Sequence, residues 1–177
     1  RPPLDALPGG AAIEADDAGG GRIAHFRIAG DEAGRLAVGV LLHRASIELE
    51  NLEITGAQRA AVEVEGPGNA VLRASFIHHN PGTGVAVRRG ATLRLLHNVI
   101  TNNVAYTSTA NWGEGGGIYL AYTPAPALIS GNLIAGNEIG IVIDGRWVVG
   151  GTENTRIEGN LIGTNREGNS TLSNGWG

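Results

Sequence analysis

A short motif recurs along this chain and limits the kind of fold that it can adopt. The motif is clearest at Asn160-Leu161-Ile162, where a further Asn follows five positions after the first. Weaker copies begin, in order towards the N-terminus, at Asn132, Asn98, Ser75 and Asn51. Successive copies are 23 to 34 residues apart. A repeat of this length, built of short apolar runs separated by Asn and Gly, predicts stacked structural units and not a single globular core.

The composition is typical of a chain that turns often between short strands. Of the 177 residues, 29 are Gly and only 7 are Pro, and the Gly residues lack the regular period of collagen. There is no Cys, which leaves the redox compartment open. The net charge is −4 and the 13 basic residues, all Arg, are dispersed, whereas nucleic-acid binding requires a basic face. No apolar stretch approaches the roughly 20 residues that span a bilayer. We therefore expect no nucleic-acid partner and no membrane insertion.

Each repeat is predicted to contain three short strands, with a tight turn at the Asn position before the second. The predicted first strands are 47–49, 71–73, 93–95, 127–129 and 156–158. The predicted third strands are 61–65, 84–88, 117–121 and 139–144. Such strands pair in parallel with their equivalents in neighbouring coils, about 4.8 Å apart. The hexapeptide period of left-handed β-helices and the pattern of leucine-rich repeats are both missing. We therefore predict an all-β right-handed parallel β-helix, a solenoid of about five coils.

The predicted solenoid occupies residues 36–177, after an N-terminal capping segment at residues 1–35. Two insertions, at about 104–116 and 145–153, interrupt the repeat and are expected to emerge as loops on one face. The chain ends at Gly177, where the repeat calls for another strand, so we expect it to be cut from a longer solenoid. An open terminal coil predicts either further coils or end-to-end self-association.

The recurrent Asn has a structural explanation. Asn tolerates the left-handed backbone of a tight turn, and its amide can donate to and accept from backbone groups that the turn leaves unpaired. Stacked at one position in successive coils, such amides form a ladder. The predicted ladder residues are Asn51, Asn98, Asn132 and Asn160, with Ser75 in place of Asn in one coil.

The chain resembles a known family at this level of detail. The residues that carry the resemblance are Val148-Val149-Gly150-Gly151-Thr152, Asn160-Leu161-Ile162-Gly163-Thr164-Asn165, Gly168, Asn174-Gly175, Gly39-Val40, Ile47 and Leu52-Glu53-Ile54-Thr55-Gly56. Over about residues 36–177 the chain is similar to bacterial right-handed parallel β-helix repeat proteins of the pectate-lyase-like superfamily. The resemblance implies an extracellular or cell-surface location. Members of that superfamily include polysaccharide lyases, uronate epimerases, glycoside hydrolases, phage tailspikes and adhesins.

Candidate catalytic residues come from the third strands, which form the substrate groove in lyases of this superfamily. Period-2 alternation points the following residues into the core: Val62, Val64, Val85, Val87, Ile118, Leu120, Ile141 and Ile143. Glu65, Arg88 and Asp144 then face outwards, and a lyase could use such carboxylates as a base and Arg to stabilise an enolate. Ca²⁺ would belong only to this alternative, and it requires six to eight oxygen ligands. The competing interpretation is an ordinary ion pair on a solvated sheet.

Aromatic residues and histidines offer two further candidate sites. Tyr and Trp stack on sugar faces, and the candidate ligand-binding residues are Tyr106, Trp112, Tyr119 and Trp147. His78, His79 and His97 fall on different parts of the coil perimeter, so they do not predict a metal site.

Two function classes follow. The preferred one is a non-catalytic structural or adhesive module of a secreted or cell-surface protein that binds polysaccharide and needs no cofactor. The alternative is a carbohydrate-active enzyme, a polysaccharide lyase or uronate epimerase.

Overall fold

The computed structural model describes residues 10–31, 36–104, 116–123, 126–145 and 154–175. This part of the chain forms eighteen β-strands and no helix. The strands, in chain order, are β1 (Ala11–Asp16), β2 (Arg22–Ala24), β3 (Arg27–Ala29), β4 (Val38–His43), β5 (Glu48–Glu50), β6 (Glu53–Thr55), β7 (Ala60–Glu65), β8 (Gly68–Arg73), β9 (Phe76–His78), β10 (Thr83–Arg88), β11 (Ala91–Leu96), β12 (Val99–Thr101), β13 (Ile118–Ala121), β14 (Leu128–Ser130), β15 (Leu133–Ala135), β16 (Ile141–Asp144), β17 (Arg156–Glu158) and β18 (Leu161–Ile162).

Every third strand belongs to the same sheet, so the chain winds round three parallel sheets of six strands each. Sheet A contains β1, β4, β7, β10, β13 and β16; sheet B contains β2, β5, β8, β11, β14 and β17; sheet C contains β3, β6, β9, β12, β15 and β18. Each strand pairs with its equivalent in the next coil, as Val62 pairs with Val85 and Val85 with Ile118. The predicted parallel β-solenoid is therefore confirmed.

The core lies inside the coils and consists of columns of aliphatic side chains. In sheet B, Leu49, Leu72 and Leu95 follow one another in register, and each is 0% exposed. In sheet C, Ile54 and Ile77 lie in register and are equally buried. Because alternate residues of a strand face opposite sides, each short strand contributes one or two core residues and keeps the others outside.

The solenoid turns at three corners, and each corner holds a residue with a left-handed backbone. Between sheets B and C these residues, with φ between 49° and 67°, are His25, Asn51, Ala74, His97, Gly131 and Gly159. Between sheets C and A they are Gly56, His79, Asn102, Gly136 and Gly163. Between sheets A and B they are Asp17, Arg44, Gly66, Arg89 and Tyr122. Such a backbone is strained for most side chains, which explains why Gly and Asn recur at these positions.

A ladder of side-chain amides follows the corner between sheets B and C. Asn98 and Asn132 are 1% exposed, and the backbone N–H groups of Ser75, Asn98 and Asn132 donate to the side-chain oxygens of Asn98, Asn132 and Asn160 at 3.0, 2.8 and 2.8 Å. Ser75 continues the column, because its hydroxyl accepts from the backbone N–H of Leu52 at 3.1 Å.

Asn51 requires a correction, because it lies outside this ladder. It is exposed, and its side-chain amide contacts Nδ1 of His25 at 2.8 Å. Leu52 occupies the ladder position in that coil, as the register of Ile54 with Ile77 shows. The prediction gave one Asn both the left-handed turn and the ladder. The structure assigns these roles to neighbouring residues, for example His97 and Asn98.

A second amide ladder follows the corner between sheets C and A. The backbone N–H groups of Asn80, Asn103 and Asn137 donate to the side-chain oxygens of Asn103, Asn137 and Asn174 at 3.2, 3.0 and 3.0 Å. The first three of these residues are 1% exposed. The Asn five positions after the motif at Ser75, Asn98 and Asn132 is therefore a ladder residue. After the motif at Asn160, the ladder position is taken by Asn174 and not by Asn165.

The solenoid begins earlier than the predicted boundary at residue 36. Strands β1, β2 and β3 pair with β4, β5 and β6, so residues 11–29 already belong to the three sheets. The predicted insertions lie mostly outside the described residues.

Ile143 was predicted to face the core. It lies in register with buried Leu120 but is 43% exposed, because β16 is the last strand of sheet A. Ile157 and Ile162, in the last strands of sheets B and C, are 42% and 47% exposed.

Candidate functional site

The predicted catalytic residues lie in one column across the outer face of sheet A. Glu65 is in register with Arg88, Arg88 with Ala121, and Ala121 with Asp144. Arg88 is therefore adjacent to Glu65, whereas Asp144 lies two strands further along the sheet. The order of these residues along the sheet follows from the predicted repeat, but their contacts do not.

The centre of this face is a buried carboxylate, Glu63. Its side chain is 1% exposed and lies 2.5 Å from the Arg59 guanidinium and 3.7 Å from that of Arg88. Both arginine side chains are only 15% exposed. Burial raises the pKa of Glu63, and the positive charges of Arg88 and Arg59 oppose this effect. The expectation of a solvated sheet is wrong at this position, since Glu63 and its register neighbour Ala86 are both buried.

The remaining charges on this face also have partners. Glu65 lies 3.7 Å from the Arg89 guanidinium. The guanidinium of Arg88 lies over the ring of Tyr119, 5.6 Å from its centroid, which is the geometry of a cation–π contact. Asp144 is 7% exposed and is also engaged in an interaction. The predicted catalytic residues are thus partly or fully buried and engaged with neighbours, and the ring of Tyr119 contacts Arg88.

Three of the four predicted aromatic ligand-binding residues, Tyr106, Trp112 and Trp147, lie outside the described residues. His78 and His79 contact each other, with 2.8 Å between their Nδ1 atoms, whereas His97 lies at a different corner. His78 stacks on Phe76 with 3.7 Å between ring centroids, His79 is at the corner between sheets C and A, and His97 is at the corner between sheets B and C. Within the described ranges, no group of three or more His, Cys, Asp or Glu residues could hold a metal ion.

An open groove lies on a different face, along the corner between sheets B and C and the outer face of sheet C. Its volume is about 590 Å³. Its lining residues include His25, Phe26, Arg27, Glu53, Phe76, His97 and Arg166. We call this concavity the corner groove.

The family follows from the repeat geometry. A family model described as "Right handed beta helix region" matches residues 12–175. The chain belongs to the right-handed β-helix family. No curated protein and no solved structure matches it. In the part of this β-helix that the structure describes, no helix has the length and apolarity to cross a membrane.

The corner groove of this right-handed β-helix was missed in the sequence. The superfamily resemblance points to the third strands as the substrate groove, whereas this groove lies beside the second strands. The same alternation in the second strand places Phe76 outside, since its neighbour Ile77 is in the core. Phe76 is 41% exposed, and Phe26, which directly precedes β3 in the first described coil, is 54% exposed.

Proposed function

We propose that this right-handed β-helix is a non-catalytic module of a secreted or cell-surface protein, and that it binds polysaccharide. The observation that carries the proposal is the pairing of Glu63 with Arg59 and Arg88 on the outer face of sheet A. A general base must reach the proton that it removes and must be deprotonated when it does so. Glu63 is 1% exposed and Glu65 is engaged with Arg89, so neither carboxylate is displayed to a substrate.

The fold supports binding to a long polymer. Parallel coils spaced about 4.8 Å apart present rows of equivalent positions along one axis. A linear polysaccharide can lie along such rows and contact several coils at once. The exposed phenyl rings of the corner groove supply apolar faces on which sugar rings stack. A polymer ligand also fits the proposed location outside the cell or at its surface.

The competing function is a polysaccharide lyase or uronate epimerase, and one observation favours it. Glu65, Arg88 and Asp144 do lie in one column of sheet A, with Tyr119 beside Arg88. If an acidic substrate displaced the ion pairs, Arg88 could stabilise an enolate while a carboxylate acted as base. Ca²⁺ would then be a candidate cofactor.

The test is an assay of the purified protein on a panel of uronate polysaccharides, with and without Ca²⁺. Unsaturated product is followed by ultraviolet absorbance, and retention of the protein on each polymer is measured in parallel. We expect retention on at least one polymer and no product. Product that disappears in Arg88→Ala, but persists in the exposed-pair control Arg156→Ala, would establish the lyase instead. Circular dichroism confirms that each variant is folded.

A further inference from the structure

The corner groove combines exposed aromatic rings with an excess of positive charge among its described lining residues. Phe26 and Phe76 belong to coils that are separated by one intervening coil. At about 4.8 Å per coil, the two rings are about 10 Å apart along the solenoid axis. Both rings are substantially exposed, at 54% and 41%. Two exposed rings in one groove, at this separation, offer stacking positions for different sugar units of the same chain.

Positive charge is contributed from both ends of the groove. Arg27 lies at one end and faces the Glu53 carboxylate, with 3.4 Å between the charged groups and a side chain that is 70% exposed. Arg166 lies at the other end, and among the described residues it has no ion-pair or hydrogen-bond partner. Among the described residues, the groove therefore contains two guanidinium groups and one carboxylate, in a protein whose net charge is −4. His25 and His97 add ring nitrogens that can donate to an anion or to a sugar hydroxyl.

Arg166 is carried by a well-defined loop at residues 163–172. The loop closes with an antiparallel bridge between Thr164 and Thr171. Inside it, the side-chain oxygen of Asn165 accepts from the backbone N–H groups of Asn169 and Ser170 at 3.0 and 3.2 Å. These bonds hold the base of the Arg166 side chain in place, so less conformational entropy is lost when its guanidinium binds an anion.

We infer that the corner groove binds an acidic polysaccharide, an inference that rests on the proposed function and adds the site and the ligand class. Phe26 and Phe76 stack on the sugar rings, while Arg27 and Arg166 bind carboxylate or sulfate groups of the same chain. A guanidinium can donate two parallel hydrogen bonds to a pair of carboxylate or sulfate oxygens, which a point charge cannot do. A nucleic acid is disfavoured because its binding requires a continuous basic face, whereas the described lining of the groove supplies two guanidinium groups in a protein of net charge −4.

The experiment measures the affinity of the whole chain for four soluble polymers by isothermal titration calorimetry. Polygalacturonate carries carboxylates, dextran sulfate carries sulfates, hydroxyethyl cellulose is neutral, and single-stranded DNA tests the nucleic-acid alternative. We expect an acidic polysaccharide to bind most tightly, and its affinity to fall as the salt concentration rises. The tighter binder of polygalacturonate and dextran sulfate shows whether the groove prefers carboxylate or sulfate groups.

Two variants locate the site. Phe76→Ala is expected to weaken binding roughly 2- to 10-fold through the loss of a stacking surface. Arg166→Ala is expected to weaken binding several-fold and to reduce the salt dependence. Arg94→Ala is the matched control, because Arg94 is an exposed Arg of β11 in sheet B, outside the groove, and this variant should bind as the parent does.

The possible failures can be told apart. Retention of an acidic polymer that is lost in Trp112→Ala, but unchanged in Phe76→Ala and Arg166→Ala, would overturn the groove and leave the proposed function in place. Equal affinity for the neutral and acidic polymers would overturn the ligand class. Tightest binding of DNA would overturn the glycan assignment. Absence of binding to all four polymers would refute both the groove and the polysaccharide-binding function.

Discussion

The side-chain amide of Asn98 donates to the side-chain oxygen of Asn132 at 3.0 Å, and the backbone N–H of Asn98 donates to the same oxygen at 2.8 Å. Asn98 in turn accepts from the backbone N–H of Ser75 and donates to the carbonyl of Leu72. Asn98→Ala therefore leaves buried groups without partners, each at a cost of about 1–3 kcal/mol. We expect a clear drop in the free energy of unfolding in urea.

The controls for this prediction are Asn98→Ser and Asn51→Gly. Ser75 already replaces Asn in the neighbouring coil and still accepts a backbone hydrogen bond, so Asn98→Ser should lose less stability than Asn98→Ala. Asn51 is exposed and has φ of 51°, which Gly adopts freely, so Asn51→Gly should change stability little. Equal losses in Asn98→Ala and Asn51→Gly would contradict the role of the ladder.

The sequence predicted the parallel solenoid because a motif of Asn followed by a short apolar run recurs every 23 to 34 residues. The predicted ladder included Asn51 because the copies of the motif were aligned on their Asn residues. The register of Ile54 with Ile77 shows that the ladder position in that coil is one residue later, at Leu52. The burial of Glu63 was not predictable by the same reasoning. Alternation specifies that Glu63 points outwards, but only the tertiary structure determines whether that side meets solvent.

The buried ion pair of Glu63 should matter more for stability than an exposed one. Glu63→Ala leaves the partly buried guanidinium groups of Arg59 and Arg88 without their shared carboxylate, at an expected loss of about 3–5 kcal/mol. The control is Glu158→Ala, which removes an exposed pair with Arg156 and should cost at most about 1 kcal/mol. Both losses in the free energy of unfolding would be measured by urea unfolding at neutral pH. A Glu63→Ala loss as small as that of Glu158→Ala would show that the buried pair is not a major contributor to stability.

A methyl group at Gly131 should be tolerated worse than one at Gly159. Both residues are left-handed, with φ of 67° and 62°, so either substitution strains the backbone by about 1–2 kcal/mol. At Gly131 the new Cβ would also lie 2.4 Å from Nδ1 of His97, whereas at Gly159 its nearest neighbour is 3.9 Å away. This clash should add about 1–3 kcal/mol.

Thermal unfolding tests the clash directly when His97→Ala is combined with Gly131→Ala. The double variant removes the ring that the new methyl group would meet. Its thermal unfolding midpoint is compared with that of His97→Ala. The decrease should be no larger than the decrease from the parent to Gly159→Ala. A double variant in which the effects of the two substitutions simply add would indicate that His97 moves aside at little cost.

His78 should make the protein less stable in mildly acidic solution. Burial lowers the pKa of His78 below its ordinary value of 6.5, and the Glu53 carboxylate, 3.5 Å from Nε2, opposes this only in part. Below that ordinary value the unfolded chain binds a proton more readily than the folded one. The free energy of unfolding therefore falls as the pH drops, until the folded histidine is protonated too.

The measurement is the urea midpoint of the parent and of His78→Asn at several pH values from about 5 to 7.5. The parent should lose stability towards the acidic end, and the variant should lose less over the same range. An identical pH profile in the two proteins would mean that His78 does not link protonation to folding.

The constant spacing of the central coils makes the length of this molecule adjustable in discrete steps. Hydrogen bonds between equivalent positions join residues 23 apart at Leu52 and Ser75, at Asn69 and Thr92, and at Asn80 and Asn103. Excision of residues 69–91 would therefore bring Thr92 directly after Gly68, in the place that Asn69 now occupies, and would shorten the solenoid by one coil of about 4.8 Å. Duplication of the same segment would lengthen it by the same amount. Recombination within such a gene can therefore change the length of the encoded solenoid without requiring new core packing.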